Sequence, residues 1–387
     1  MASLYIITET GRVQGDEKEF SLPSPTLAII ATVCWNNLPT VDLKDSNHSR
    51  VALGDGATAM VFKTRIWKRG WQHSEGMVAV KQKRRQGSYA SSERSLGDWL
   101  RSCLNDIRIG SHPKLSAHPN ILEVLAISWE HFEEGDRMRS PCVIYPLADG
   151  GTLASFVKSR TFIGSQVILE LFIDVLAGLK ALHQYQVIHG DIKMDNVLLF
   201  KVENGSVKAK LSDFSHSIFL DDNWQGNSNY TGTRPFYIPE VRRQRKTNDP
   251  INDLRASDVY GLGVLLWAIF AGSKVLVDIV ASALKCENWQ EDVEQALEGS
   301  HPGELLRICL KDLEENYFLF HNSRDALSQE AADGFRDLLT ACLADDPLKR
   351  GSVAFLMGKS LELQRLVGAE AAGERWVYFI CFHWPIN

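Results

Sequence analysis

The sequence predicts an α+β chain of two lobes, a small β-rich one followed by a larger, mainly helical one. Three observations point there. Residues 51–81 hold short β-branched runs broken by glycines, residues 166–184 carry one long helical apolar stripe, and the apolar run Val259–Phe270 lies among further helical patterns. The change of character falls near residues 148–150. It predicts an N-terminal extension at 1–50, the small lobe at 51–147, the large lobe at 148–365 and an aromatic tail at 366–387.

Each element follows from its local pattern. The run Thr26–Trp35, after Pro23 and Pro25, is expected to be a strand-bearing extension or a tether. VALGDGATAMVFKTRIW (51–67) predicts two strands around a glycine turn, and MVAVK (77–81) a third strand ending in a lysine. KRRQGSYASSER (83–94) is basic then Ser-rich, as a solvated loop would be. In residues 95–110, Leu96, Leu100, Cys103 or Leu104, and Ile107 recur at helical spacing. PCVIYPL (141–147) predicts a buried strand, followed by the turn ADGGT. Ile168, Phe172, Val175, Leu179 and Leu182 share one face of the long helix. VLLF and VKAKL then predict two short strands around the turn ENGS, and the remainder is helical to about residue 365.

A chain of 387 residues can bury a large core without a disulfide or metal. Hydrophobic content of 44% and charged content of 23% exclude a disordered, collagen-like or coiled-coil chain. The formal charge of −6 provides no global field favouring nucleic acid or an anionic membrane. The seven cysteines form no CxxC pair, so neither a zinc site nor a disulfide framework is expected, and an intracellular, cytoplasmic setting fits. MASLYIITETGR lacks the basic region of a secretory signal. The apolar stretch Val259–Leu284 is interrupted by glycines and carries Lys274 and Asp278, so two helices are expected there, the first a buried core helix, and no transmembrane span. Nothing in the sequence bears on oligomeric state.

The chemistry-bearing residues come in order. Gly54-Asp55-Gly56 sits between two strand-like runs, not between a strand and a helix, which argues against a dinucleotide fingerprint or a Walker loop. A glycine hairpin can instead lie over phosphates, because backbone amides approach closely where side chains are missing; an ordinary tight turn is the alternative. Lys81 can reach phosphates as a point charge, or be a surface lysine at a strand end. The densest segment is 187–199, where His189, Asp191, Lys193 and Asn196 are bracketed by apolar runs. Such a polar cluster is costly to place unless its groups find partners. Asp191 can present a carboxylate to a hydroxyl, and Asn196 an amide oxygen to a cation. Asp213 follows the next apolar strand, and an amide oxygen plus a carboxylate suits Mg²⁺, which takes few protein ligands beside phosphate oxygens.

Together these pieces resemble a eukaryotic protein kinase. GDGATAMV, VAVK, HPNIL, HGDIKMDN, SDFS, GTRPFYIPE, SDVYGLGVLLWAI and DDPLKR occur in the family's order from about Leu53 to Arg350. HPNIL and SDVYGLGVLLWAI are most similar to the tyrosine-kinase-like branch of Ser/Thr kinases, and HPKLSAHPN resembles divergent fungal kinases. The resemblance implies the two-lobed kinase fold and Mg²⁺/ATP-dependent phosphoryl transfer to Ser/Thr hydroxyls of a protein substrate. The rival expectation is a pseudokinase that binds nucleotide as a scaffold or allosteric partner.

By resemblance, Gly54 and Gly56 cover the ATP phosphates, with Ala59 replacing the third glycine. Val61 and Ala79 pack on adenine, Leu198 also falls on the nucleotide site, Tyr145 is the gatekeeper, and Leu147 and Ala148 form the hinge. Lys81 holds the α/β-phosphates. Its family partner is a helix glutamate, a place that Asp106 takes in this chain, with Glu93 a poorer candidate; the shorter side chain predicts a longer or water-bridged ion pair. Asp191 is the catalytic aspartate, Lys193 steadies the γ-phosphate as in Ser/Thr kinases, and Asn196 and Asp213 bind Mg²⁺. His189 is structural, Thr233 bonds the catalytic aspartate and lysine, Glu240 pairs with Arg350, and Asp258 anchors the catalytic loop.

Three departures carry expectations. Gly190 replaces the arginine of HRD, a receptor for an activating phosphate, so activity is expected not to require phosphorylation. Ser215 replaces the glycine of DFG and resists a backbone flip. Gly110 stands where an apolar spine residue is expected. Ser215, Ser217, Ser228, Tyr230 and Thr231 are modification candidates by location, and the aromatic C-terminus is expected to dock on its own large lobe.

Overall fold

The computed structural model describes residues 25–43, 50–55, 59–66, 76–84, 93–130, 140–160, 163–203, 205–220, 236, 238–241, 254–272, 275–286, 291–318 and 327–373. Gly56, Thr233, Ser228, Tyr230, Thr231 and the aromatic C-terminus lie outside them.

The small lobe is a five-stranded antiparallel sheet in the order β1-β2-β3-β5-β4. Its strands are β1 (Val51–Asp55), β2 (Ala59–Arg65), β3 (Met77–Lys83), β4 (Ala126–Glu130) and β5 (Ser140–Pro146). One face carries Phe62, Val78, Val80, Ala126 and Ile144 into a small core with Leu43. The other face packs on helix α2 (Glu93–Gly110) through Trp99, Leu100, Cys103 and Ile107. The pairing of β2 with β3 sets Val61 opposite Lys81, and that of β3 with β5 sets Ala79 opposite Tyr145. Val61, Ala79, Lys81 and Tyr145 are thereby neighbours by register alone.

The extension is a helix where a strand or tether is expected. Helix α1 (Pro25–Trp35) buries Ile29 and Val33 in the same core as Trp99, Cys103 and Ile107 of α2. These two residues are one turn apart and share a face. Packing of that face overrides the low helix propensity of a β-branched run, and Pro25 is tolerated at the first helical position. Past α1, Val41 donates to the Ile127 carbonyl and Ile127 to the Pro39 carbonyl, adding a parallel bridge at Thr40 to the edge of the sheet. Residues 25–43 therefore complete the small lobe.

The large lobe begins with α3 (Leu153–Lys158), capped reciprocally by Thr152 and Ser155, and α4 (Ser165–Gln184). Two short ribbons follow. One pairs β6 (Val187–Ile188) with β9 (Ile218–Phe219), and the other pairs β7 (Val197–Lys201) with β8 (Val207–Leu211). Next come α5 (Leu254–Ala271), α6 (Leu276–Leu284), α7 (Glu291–Gly299), α8 (Glu304–Leu313), α9 (Gln329–Leu343) and α10 (Val353–Gly373). Helix α5 is apolar on all sides because it is surrounded: Val259, Leu262, Leu265, Leu266 and Trp267 are buried. By length and composition it could cross a membrane, yet it is the central helix of this lobe. The Trp267 indole donates to buried Asp312 of α8 at 2.8 Å. Gly263 lets α9 come close, since a Cβ there would lie 2.7 Å from Cys342 and Leu343. Helix α10 runs through position 365 to Gly373 and packs on α4.

Candidate active site

The site lies where β3, α2, the 189–196 loop and the β8–β9 turn meet. Each contributes at least one charged group. Lys81 on β3 is buried among apolar neighbours, and its ammonium contacts Asp106 of α2 at 2.8 Å and Asp213 at 2.7 Å. Burial alone would lower the lysine pKa, but the two carboxylates outweigh it and hold the ammonium well above its ordinary range. Asp213 is pulled the other way. Burial would raise it, but Lys81 and the Ser215 hydroxyl keep it well below the usual carboxylate range. Burial raises Asp106, and Lys81 offsets this only in part.

The contact of Lys81 with Asp106 is direct, not the longer or bridged one expected of a short side chain. Helix α2 sits close enough because it is held at two further points. Asp106 Oδ1 accepts the Phe214 backbone N–H at 2.9 Å. At the helix end, Gly110 abuts Val124, where a Cβ would lie 2.6 Å from the valine methyl, and the Gly110 carbonyl accepts the Val124 N–H. Gly110 thus occupies the place expected for an apolar side chain, and close approach of the chain replaces that side chain. The Tyr145 hydroxyl also hydrogen-bonds Asp106, and burial together with that carboxylate pushes its phenol pKa up.

The 189–196 loop is held from below. Asp258 of α5 accepts the His189 N–H at 2.8 Å and the Gly190 N–H at 2.9 Å, and contacts His183 Nε2 at 2.9 Å. His183 escapes detection in the sequence because it looks like a helix-end polar residue. His189 is fully buried, its ring against the Ser212 carbonyl and the edge of Phe214, and burial keeps its pKa below the usual value. On this base the Asn196 amide donates to both the carbonyl and the carboxylate of Asp191, at 2.8 and 2.9 Å. Lys193 reaches the same carboxylate oxygen at 2.7 Å. With its NH₂ group committed, Asn196 retains an amide oxygen as its acceptor. The Asn196 backbone carbonyl takes both the N–H and the hydroxyl of Ser212, tying this loop to the strand that delivers Asp213.

The donor set fits Mg²⁺ and ATP. An amide oxygen from Asn196 and an ionised carboxylate from Asp213, its side chain 38% open to solvent, suit a hard cation that shares phosphate ligands. Lys81 has three donors, of which two meet carboxylates. Gly54 pairs with Val61, and a Cβ on it would meet nothing within 4 Å, so the fold's own packing does not require glycine there. Leu198 of the large lobe, like Ala59 and Ala79, packs against the small-lobe apolar cluster that contains Tyr145. Leu147 and Ala148 link β5 to α3, and the Ala148 carbonyl closes the turn by accepting the Gly151 N–H.

At the base of the large lobe, Arg350 binds Glu240 through both terminal guanidinium nitrogens, at 2.6 and 2.7 Å, and donates to the Ala256 and Ala344 carbonyls. The protein kinase domain matches residues 48–361, most of the chain. The chain belongs to the protein kinase family. A probable serine/threonine-protein kinase of Dictyostelium discoideum is 29% identical over 181 residues, 46% of this chain and 31% of that protein. Serine/threonine-protein kinase Nek5 of Mus musculus is 30% identical over 155 residues, 39% of this chain and 22% of its own. Mitogen-activated protein kinase kinase kinase 13-B of Xenopus laevis is 26% identical over 175 residues, 45% of this chain and 16% of its own. Each match spans less than a third of the relative's own length.

The family departures now have a structural setting. Gly190 has φ +83°, and a Cβ on it would lie 2.4 Å from the His216 carbonyl oxygen. The residue at this position must lack a side chain if the segment after Asp213 is to lie where it does. Ser217 is buried and its hydroxyl donates to the His189 carbonyl, so it is a structural residue and not an accessible modification site.

Proposed function

We propose that this chain transfers the γ-phosphoryl group of ATP to serine or threonine hydroxyls of protein substrates. The observation that carries the proposal is the ammonium of Lys81 set between Asp106 and Asp213, with the Asp191–Asn196–Lys193 cluster assembled on the 189–196 loop of the large lobe. Within each of these two groups the charged and polar side chains are already in contact, and preorganised charge is what phosphoryl transfer requires.

In this reading Lys81 binds the α/β-phosphates, and Asp106 fixes the lysine in the cleft. Gly54 and Gly56 cover the phosphates, while Val61, Ala79 and Leu198 enclose adenine. Tyr145 closes the back of the pocket, and the backbone of Leu147 and Ala148 meets the adenine edge. Asn196 and Asp213 hold Mg²⁺, which supplies charge neutralisation at the phosphates when bound. Asp191 accepts the hydroxyl proton of the substrate, and Lys193 steadies the transferring group. A scaffold role as a pseudokinase is the second reading; the direct Lys81–Asp106 contact weighs against it. The six described cysteines are free thiols, which suits an intracellular setting.

The test is product identity. The full chain is incubated with Mg-ATP and a generic basic protein, and the acceptor is hydrolysed to its phosphoamino acids. Phosphoserine or phosphothreonine that requires added Mg²⁺ supports the reading; absence of both overturns it.

A further inference from the structure

The segment after Asp213 is held against helix α2 by three sets of contacts that involve no phosphate. The Asn105 amide donates to the Ser217 carbonyl at 3.0 Å and to the Ser215 carbonyl at 3.4 Å. Asp106 takes the Phe214 N–H. The Arg108 guanidinium lies 3.8 Å above the ring centre of Phe219, a cation–π contact. From the other side, the segment is paired to the strand that leads into the catalytic loop. Val187 faces Phe219, Ile188 faces Ile218, and Leu220 donates to the Gln186 carbonyl. Gly190 adds the close approach of the His216 carbonyl, which any side chain would break.

We propose that Asn105 and Arg108 are positioning residues that clamp residues 214–219 to α2, so that the site is set without phosphorylation of the segment. The proposal rests on the phosphoryl-transfer reading for its activity readout. An arginine at position 190 would tie the catalytic loop to a phosphate further along the segment. In this chain that position is closed to any side chain. The same stretch is instead gripped by the helix that carries Asp106. Asn105 grips backbone, so it is insensitive to the sequence it holds. Arg108 grips the one aromatic side chain of β9. Both act through Asp213: moving 215–219 away from α2 moves the carboxylate that Lys81 contacts. Neither residue is among those assigned above to nucleotide, metal or substrate.

Three preparations of the full chain decide it: wild type stripped of phosphate and checked by intact mass, Asn105→Ala/Arg108→Ala, and Asn105→Ala/Arg108→Lys. Stripped wild type is expected to keep its transfer rate. The double alanine variant is expected to lose about tenfold or more in kcat, since misplacement of catalytic groups by about 1 Å can cost about a hundredfold. Its melting temperature should stay within about 2 °C of wild type, which a general loss of stability would not allow. Arg108→Lys, which keeps a cation over the ring, should recover part of the rate. Hydrogen exchange at the amides of Ile218, Phe219 and Leu220 should quicken in the double alanine variant. The proposal is overturned if stripped wild type loses its activity, or if the double alanine variant keeps both the wild-type rate and the wild-type exchange. Were no form to transfer phosphate, the functional reading would fall, and the exchange at 218–220 would still decide the clamp: unchanged exchange refutes it.

Discussion

Replacing Gly190 by alanine adds one methyl group at a place with room for none. A residue with a Cβ in the left-handed region costs about 1–2 kcal/mol. The new carbon would sit 2.4 Å from the His216 oxygen, well inside contact distance, so one of two backbones must move. Overpacking of this kind costs about 1–3 kcal/mol. The segment cannot swing away cheaply, because Ser217 is bonded to His189 and Ile218 is paired with Ile188. Against this, alanine restricts the unfolded chain and returns about 0.4–1 kcal/mol. The net expectation is a destabilisation of about 1–5 kcal/mol. Urea denaturation of wild type and Gly190→Ala measures it, with transfer kinetics on the same samples. The rate should fall too, since His216 is close in the chain to Asp213. A variant within about 0.5 kcal/mol of wild type at full rate would refute the reasoning, that scatter being ordinary for an inert surface change. Gly190→Arg should behave at least as badly and should not confer control by phosphorylation.

Three further outcomes are expected. Arg350→Met should cost about 3–5 kcal/mol in urea denaturation, because Glu240 is left buried and charged without its partner; a cost under about 1 kcal/mol would contradict that. Asp106→Asn should lower kcat by about a hundredfold or more while leaving the fold intact by circular dichroism, since the ammonium of Lys81 then answers to Asp213 alone; an unchanged rate would show that the helix acid is dispensable. For His189, burial depresses the folded pKa, so its contribution to stability is present above the unfolded value near 6.5 and is lost as pH falls below it, at up to about 1.4 kcal/mol per pH unit. Denaturation between about pH 7.5 and 5 should show a shallower acid loss in His189→Phe than in wild type; equal slopes would mean the imidazole is not held neutral.

Much of the site was legible in the sequence because its chemistry is local. Asp191, Lys193 and Asn196 lie close together in the chain, and they meet on one short loop that Asp258 holds from below. The pair Lys81–Asp106 could be named from the family resemblance, but its length could not. That depends on how closely α2 sits, which is set by Gly110 against Val124 and by Phe214, far along the chain. Helix α1 was hidden for a related reason. Its β-branched residues suggest a strand, and only the α2 surface that receives Ile29 and Val33 makes it a helix. Asn105 and Arg108 look like ordinary helix-surface residues. Their partners, Ser215, Ser217 and Phe219, come from another lobe, and no local pattern announces such a contact. Ser217 is the converse case: its position in the chain suggests a modification site, and burial against His189 removes it.

The most direct test of the account is the rate of phosphate transfer from Mg-ATP by wild type and by Asp191→Asn, followed by intact mass under identical conditions. Asparagine keeps the size of the side chain that Asn196 and Lys193 hold, but removes its basicity. The account predicts transfer by wild type and a loss of about a hundredfold or more in the variant, the range expected of a positioned general base. Equal rates in the two proteins would contradict it.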